Sequence, residues 1–349
     1  MSLDSPVATP AADGFRGRLI TMGAVLAAIN IAAWASALAE FAGQPVLIGM
    51  AVLAYSLGLR HALDADHIAA IDNVTRKLMQ ERKRPVAVGF FFALGHSAVV
   101  VVASLAVALA ANSLIERFAA YREIGGVIGT LASALFLFAI AIANLVVLGG
   151  VYRALRHVKH GGQIRDEDID ALLQQRGWLA RLLRPLFRFV DKSWHLFPIG
   201  LLFALGFETA SEVSLFGVSA EASRLVPNWA LLIFPALFAA GMTLVDTIDG
   251  ILMLGAYGWA YRNPVRKLFY NVTITSISVL VALVIGGIET LGLLVEHFGF
   301  EGAFWTWVSD LNNNFGTLGY GIVGLFVASW ITSIVIYHVN GYARRSENA

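Results

Sequence analysis

The sequence predicts an all-α polytopic membrane protein. It has eight transmembrane helices, both termini in the cytoplasm, and a 3+3 inverted repeat (spans 1–3 and 4–6) followed by two additional helices. Three observations carry this expectation. The 349 residues are 58% hydrophobic and 14% charged, with mean hydropathy +0.70; soluble domains average about 45–50% and about 25%. Eight apolar runs are each long enough to cross a hydrocarbon core about 30 Å thick. Lysine and arginine fall overwhelmingly on one side of those runs.

In chain order, residues 1–18 read as a polar N-terminal tail. The first apolar run starts at Leu19, too late for a signal-peptide core, and reads as a retained helix. Spans 1–4 fall at about 19–39, 46–71, 86–111 and 124–150, so that 19–150 forms a first membrane block. Residues 151–197 form a cytoplasmic loop, whose stretch "ALLQQRGWLARLLRPLFRF" sets leucines and phenylalanines against Arg181, Arg184 and Arg188. That is the pattern of a basic amphipathic helix lying on a membrane surface, or equally of a structured linker between two halves. Spans 5–8 follow at 198–220, 230–256, 268–295 and 318–340, within a second block of 198–340, and 341–349 is a cytoplasmic tail. The outer loop 296–317 carries Phe298, Phe300, Phe304, Trp305 and Trp307, suited to an interfacial aromatic belt.

With the N-terminus inside, 21 of the 25 lysines and arginines are cytoplasmic, including the five in 76–84. Only Arg60 lies within a span. The repeat rests on "SLGLRHA" (56–62) against "ALGFETA" (204–210), and "FALGHS" (92–97) against "FAAGMT" (238–243). Spans three apart run in opposite directions, which makes this repeat an inverted one; in transporters so built, the site sits at the repeat interface.

Some function classes are excluded or disfavoured. No cysteine is present, so disulfides and thiolate metal sites are absent. A net charge of +1 provides no field for nucleic acid.

Ionisable groups inside a bilayer are costly and mark function by default. They concentrate in four spans. The second holds Arg60, His61, Asp64, Asp66, His67 and Asp72; the third holds His96 and Ser97. The fifth holds Glu208, Thr209, Ser211 and Glu212, and the sixth holds Asp246, Thr247 and Asp249. The first, fourth, seventh and eighth carry little charge in their middles. At 1.5 Å per residue, these groups share a depth near the midplane, which implies one water-lined or metal-filled cavity.

His61 and His67 would stand about 9 Å apart along a straight helix. They can share an ion only if the helix tightens or breaks, and Gly58 offers a place for a break. Imidazoles with carboxylates and no thiolate suit a divalent transition ion such as Ni, Co or Zn, and suit Mg or Ca poorly. The candidate metal ligands are His61, Asp64, Asp66, His67 and His96. Asp66 could instead pair with Arg60 or orient a histidine.

A lone intramembrane histidine is more often a packing residue, but the flanking carboxylates favour the ligand reading for His61 and His67. Glu208, Glu212, Asp246 and Asp249 stay open among ligand, proton carrier and partner to Arg60. Ser97, Thr209 and Thr247 fit interhelical hydrogen bonds equally well. His157, His160, His195, His297 and His338 lie in loops or at span ends and read as surface residues.

"RHALDADHI", with His61, Asp66 and His67 in H-x4-D-H spacing, resembles the second-helix signature of the nickel/cobalt transporter family, NiCoT. "LGHSAVV", "LGFETASE" and "GMTLVDTIDG" are similar to its third-, fifth- and sixth-helix motifs, in family order. The resemblance implies high-affinity uptake of Ni(II) and/or Co(II) across a bacterial cytoplasmic (inner) membrane. The ion is then cargo rather than a permanent cofactor, and the protein is not an enzyme.

Carried over by position, the resemblance implicates His61, Asp66, His67 and His96 with Glu208, Glu212, Asp246 and Asp249. Ala98 stands where a hydroxyl is usual and Glu208 where Asp is usual, which bears on Ni-versus-Co preference. Two alternatives compete. A proton-coupled organic-solute permease predicts no bound metal. An intramembrane metalloenzyme needs a motif such as H-E-x-x-H, which is absent. The partners expected are the metal ion and the bilayer, with no nucleic acid; oligomeric state is left open.

Overall fold

The computed structural model describes residues 10–81, 83–109, 112–159, 190–206, 210–260 and 264–339. Those residues form helices and connecting turns, with no strand among them. The helices are α1 (Pro10–Glu40), α2 (Pro45–His61), α3 (Ala65–Gln80), α4 (Val88–Leu109), α5 (Asn112–Lys159), α6 (Leu196–Phe203), α7 (Ala210–Ala222), α8 (Ile233–Ala260), α9 (Pro264–Phe298), α10 (Ala303–Asn313) and α11 (Phe315–Val339). Helices dominate because a backbone in lipid must satisfy its polar groups internally. Turn residues punctuate them. Gly43 (φ 76°) reverses the chain before Pro45 starts α2, and Gly299 (φ 64°) ends α9.

Five stretches are long and apolar enough to cross a membrane, and a sixth is formed by α2 and α3 taken together across a 52° bend. The protein is thus a multi-pass membrane protein. Two shorter apolar helices, Ser193–Phe203 and Phe315–Ser329, fall where the fifth and eighth spans are expected. The second span is broken between α2 and α3, as the spacing of His61 and His67 requires, although at Ala62–Asp64 rather than at Gly58. Two expectations are corrected. The fifth is also interrupted, with α6 ending in a 3-10 turn at Ala204–Gly206 and α7 beginning at Ala210. Residues 296–317 are not simply a loop, because α10 occupies 303–313. The amphipathic stretch at 171–189 lies outside the described residues.

The break is built by the backbone. Leu63 N–H donates to Arg60 O and Asp64 N–H to His61 O, tightening the end of α2. Asp64 is then extended (φ −66°, ψ 147°) and α3 restarts on a new axis. Gly319 of α11 abuts the Leu63 carbonyl so closely that any Cβ there would collide with it.

The most polar helix is the most central. Every residue of α3 except Asp66 is buried. Arg76 and Lys77, expected in a cytoplasmic segment, are 0% and 5% exposed. Polar groups offset this in part, although Arg76 Nε and Nη1 have no hydrogen-bond partner among the described residues. Arg76 Nη2 donates to Asn73 Oδ1 at 2.8 Å, as does Asn144 Nδ2 from α5 at 2.8 Å. Tyr257 of α8 donates to Asp72, and Lys77 to the carbonyl of Val190.

Around α3, α8 packs on α2, α4 and α1, α9 packs on α5, and α4 packs on α6. Two crossings share one arrangement. In α2/α8, Gly58 faces the Phe238 carbonyl and Gly241 that of Tyr55; in α6/α4, Gly200 faces the Phe92 carbonyl and Gly95 that of Phe197. At all four glycines a Cβ would stand under 3.0 Å from the facing oxygen. Small residues let membrane helices approach to backbone contact, where dispersion replaces the absent hydrophobic drive.

Candidate metal centre

The break in the second span folds His67 back beside His61. Their ring centroids are 4.7 Å apart, against the roughly 9 Å of a straight helix. His96 of α4 completes a near-equilateral triangle, with centroids 4.8 Å from each. One ligating nitrogen from each ring lies within 4.8 Å of the others. All three side chains are buried, at 1%, 0% and 3% exposure.

Carboxylates fix the rings. His61 Nδ1 is 2.8 Å from Asp64 Oδ2, and His67 Nδ1 is 3.2 Å from Asp246 Oδ2. Each leaves its Nε2 for the centre of the triangle. There His61 Nε2 and His96 Nε2 approach to 2.9 Å, and Glu212 Oε1 from α7 lies 3.0 Å from His96 Nε2 and 3.8 Å from His61 Nε2. His67 Nε2 and His96 Nδ1 have no hydrogen-bond partner among the described residues. A buried imidazole nitrogen with no partner is expensive in a dry interior. One nitrogen from each of the three rings, beside the Glu212 carboxylate oxygen, makes a donor set for a divalent transition ion.

A cavity of about 650 Å³ is lined by His61, His96 and Glu212 of this cluster and, with them, by Arg60, Asp66, Glu289 and Asn312.

The expected site residues are therefore divided. His61, His67, His96, Asp64, Glu212 and Asp246 come together. Asp66 and Arg60 sit in the cavity wall, and no carboxylate lies within ion-pair distance of Arg60 among the described residues. Thr247 Oγ1 donates within its own helix to Thr243 O at 2.6 Å. Ser97 Oγ and Asp249 Oδ2 are buried without a partner among the described residues. Glu208 and Thr209 lie outside the described residues.

Two features escaped the sequence reading. One is Glu289 of α9, 5% exposed, whose Oε1 accepts from Ser133 of α5 at 2.7 Å. The signal was present: a carboxylate in the middle of "LVIGGIETLGLLV". The other is the Asn73–Arg76–Asn144 network beneath the histidines, whose partners no local pattern connects.

Comparison with known proteins adds an independent finding. The family described as high-affinity nickel-transport protein matches residues 47–336. A high-affinity nickel transport protein of Cupriavidus necator is 60% identical over 328 residues, which is 94% of this chain and 93% of that one. The hydrogenase nickel incorporation protein HupN of Bradyrhizobium diazoefficiens is 50% identical over 323 residues, 92% of this chain and 84% of that one. The cobalt transport protein NhlF of Rhodococcus rhodochrous is 42% identical over 307 residues, 86% of each chain. No solved structure matches.

Proposed function

The chain belongs to the high-affinity nickel-transport family, and on that premise we propose that it is an uptake permease for Ni(II), with Co(II) as a second cargo, across the cytoplasmic membrane. Its family is one of transporters, so it carries an ion and transforms no substrate. The observation that carries the proposal is the triangle of His61, His67 and His96, closed by Glu212 and braced by Asp64 and Asp246. The three imidazoles and Glu212 are the ligands. Asp64 and Asp246 accept from Nδ1–H of their histidines, which holds the Nε2 lone pairs inward and raises their basicity.

The donor set accounts for selection. Nitrogen donors favour late first-row ions over Mg and Ca, which prefer oxygen shells. Two nitrogens at about 2.1 Å on opposite sides of an ion are about 4.2 Å apart. The ligating nitrogens of the three histidines all lie within 4.8 Å of one another, on the scale of one coordination shell.

The excess of basic residues favours the orientation with the connection from α3 to α4 on the inner side. The cavity then opens outward, towards the α9/α10 junction. The two matching glycine crossings support an inverted repeat in which α6 stands for α2 and α8 for α4. Transport proceeds as these halves rock about the site.

The test is accumulation of nickel, cobalt and zinc in cells expressing the wild type, His61→Ala, His67→Ala or His96→Ala at matched membrane abundance. Wild-type cells should concentrate nickel, and each variant should fall to the vector background. Undiminished nickel uptake in all three variants overturns the histidine site. No uptake by the wild type overturns the function.

A further inference from the structure

Glu289 has no place in the centre just described, yet its burial demands an explanation. It is the one acid in the middle of an otherwise apolar run of α9. A membrane-buried carboxylate facing lipid or packed on apolar neighbours would be strongly disfavoured. Its position answers the cost. Ser133 Oγ of α5 donates to Oε1 at 2.7 Å, and the carboxylate lines the cavity that leads to the histidines.

The surroundings are oxygen-rich and drawn from three helices. Gly292, one turn beyond Glu289, is pressed against the side-chain amide of Asn312 on α10, since a Cβ there would stand 2.9 Å from its Cγ and Nδ2. Asn312 therefore approaches α9 closely because position 292 has no side chain. Glu296 lies seven residues beyond Glu289, on the same helix face, and lines the cavity as well. Glu289 is nine residues from the end of α9 at Phe298, a depth of about 14 Å. In the orientation proposed above, that end of α9 is the outer one, and Glu289 shares the cavity with His61 and His96.

We propose that Glu289, with Ser133 and Asn312, forms an outer capture site that holds the incoming divalent cation through oxygen contacts before it passes to the histidine cluster. The chemistry differs between the two stations. Carboxylate, hydroxyl and amide oxygens accept a cation that still carries much of its water, and they discriminate poorly among small divalent ions. The imidazoles take the ion after it has shed that water, and they select. The outer site thus sets the rate of capture at low concentration, by raising the local concentration of cation in a cavity that carries negative charge. This inference rests on the uptake function proposed above.

The experiment is nickel uptake kinetics in cells expressing the wild type, Glu289→Gln and, as a charge control, Asp310→Asn at equal membrane abundance. Gln keeps the shape and can still accept from Ser133. Asp310 is exposed on α10 and outside the cavity, so it reports any general surface-potential effect.

Glu289→Gln should raise KM for nickel roughly tenfold, with a Vmax close to that of the wild type. Excess Mg2+ should inhibit uptake by the wild type and inhibit the variant several-fold less. Equilibrium nickel binding by purified Glu289→Gln should stay within about twofold of the wild type, because the histidine site is untouched. Asp310→Asn should behave as the wild type in every assay.

An unchanged KM in Glu289→Gln overturns the capture site while leaving the transport function standing. So does a fall in Vmax with lost thermal stability and unchanged Mg2+ inhibition, which would make Glu289 a packing residue. Absence of nickel uptake by the wild type instead overturns the function on which the inference rests.

Discussion

Asp64 holds Nδ1 of His61 at 2.8 Å while standing at the extended position from which α3 begins. An Asp there would ordinarily cap the new helix, yet its side chain makes no capping bond. The carboxylate is committed to the imidazole instead. Asp64→Asn preserves size and removes the negative charge that fixes the ring's tautomer. Nickel affinity of the purified protein should drop roughly 10–100-fold, the usual cost of losing such a partner, with thermal stability little changed. Asp66→Asn should cost distinctly less, since Asp66 lies in the cavity wall and makes no bond to a ring. Titration calorimetry on the two variants distinguishes them; equal losses would contradict the assignment of Asp64 as the brace.

The break that creates the site depends on a residue with no side chain. Gly319 lies against the Leu63 carbonyl within the three-residue gap between α2 and α3. Gly319→Ala forces α11 away from the break, and the obstruction is backbone that no rotamer change can relieve. Overpacking of this kind costs about 1–3 kcal/mol. The melting temperature in detergent should drop by several degrees, and nickel uptake should fall with it. Gly321→Ala, two residues on and facing open space, should leave both unchanged.

Beneath the histidines, Asn73 Oδ1 accepts from both Arg76 and Asn144. Asn73→Ala strands two buried donors, one of them charged. The expected destabilisation is about 3 kcal/mol, towards the high end for an unsatisfied buried group. Adding Arg76→Met to Asn73→Ala removes the stranded charge and should recover a substantial part of the loss. Thermal unfolding of the single and double variants measures the difference. A double variant less stable than Asn73→Ala alone would show that the guanidinium is held by something other than Asn73.

Much of this architecture is legible from composition, because lipid permits few alternatives to the helix. The histidine cluster is legible too, since ionisable groups at one depth must meet. The need for a break between His61 and His67 follows from helical rise alone. Its location does not: the chain breaks at Ala62–Asp64, where Asp64 turns extended, rather than at Gly58, which is spent on the crossing with α8. Arg76 and Lys77 look like loop residues because charge patterns are read locally. The groups that meet this face of α3 come from far away in sequence: Val190 accepts from Lys77, while Asn144 and Tyr257 bond the neighbouring Asn73 and Asp72. Glu289 is overlooked for the opposite reason, as one charge diluted in a long apolar run.

The two glycine crossings yield the sharpest structural prediction. In each, a pair of helices meets backbone to backbone, with residues three apart exchanging roles: Tyr55 and Gly58 against Phe238 and Gly241, Phe197 and Gly200 against Phe92 and Gly95. The sequence alignment pairs Gly58 with Gly206, whereas the crossings pair it with Gly200, a register six residues earlier. If the crossings are the true correspondence, Gly58→Ala and Gly200→Ala are equivalent injuries. Each places a methyl group against a carbonyl oxygen on the neighbouring helix, and each should cost about 1–3 kcal/mol and depress uptake together with stability. Gly49→Ala in α2 and Gly217→Ala in α7, where a Cβ meets nothing within 4 Å, should be silent. Matched thermal melts and uptake assays on the four variants test this. Should Gly200→Ala prove as silent as Gly217→Ala while Gly58→Ala is damaging, the two crossings would not be equivalent and the register drawn from them would be wrong.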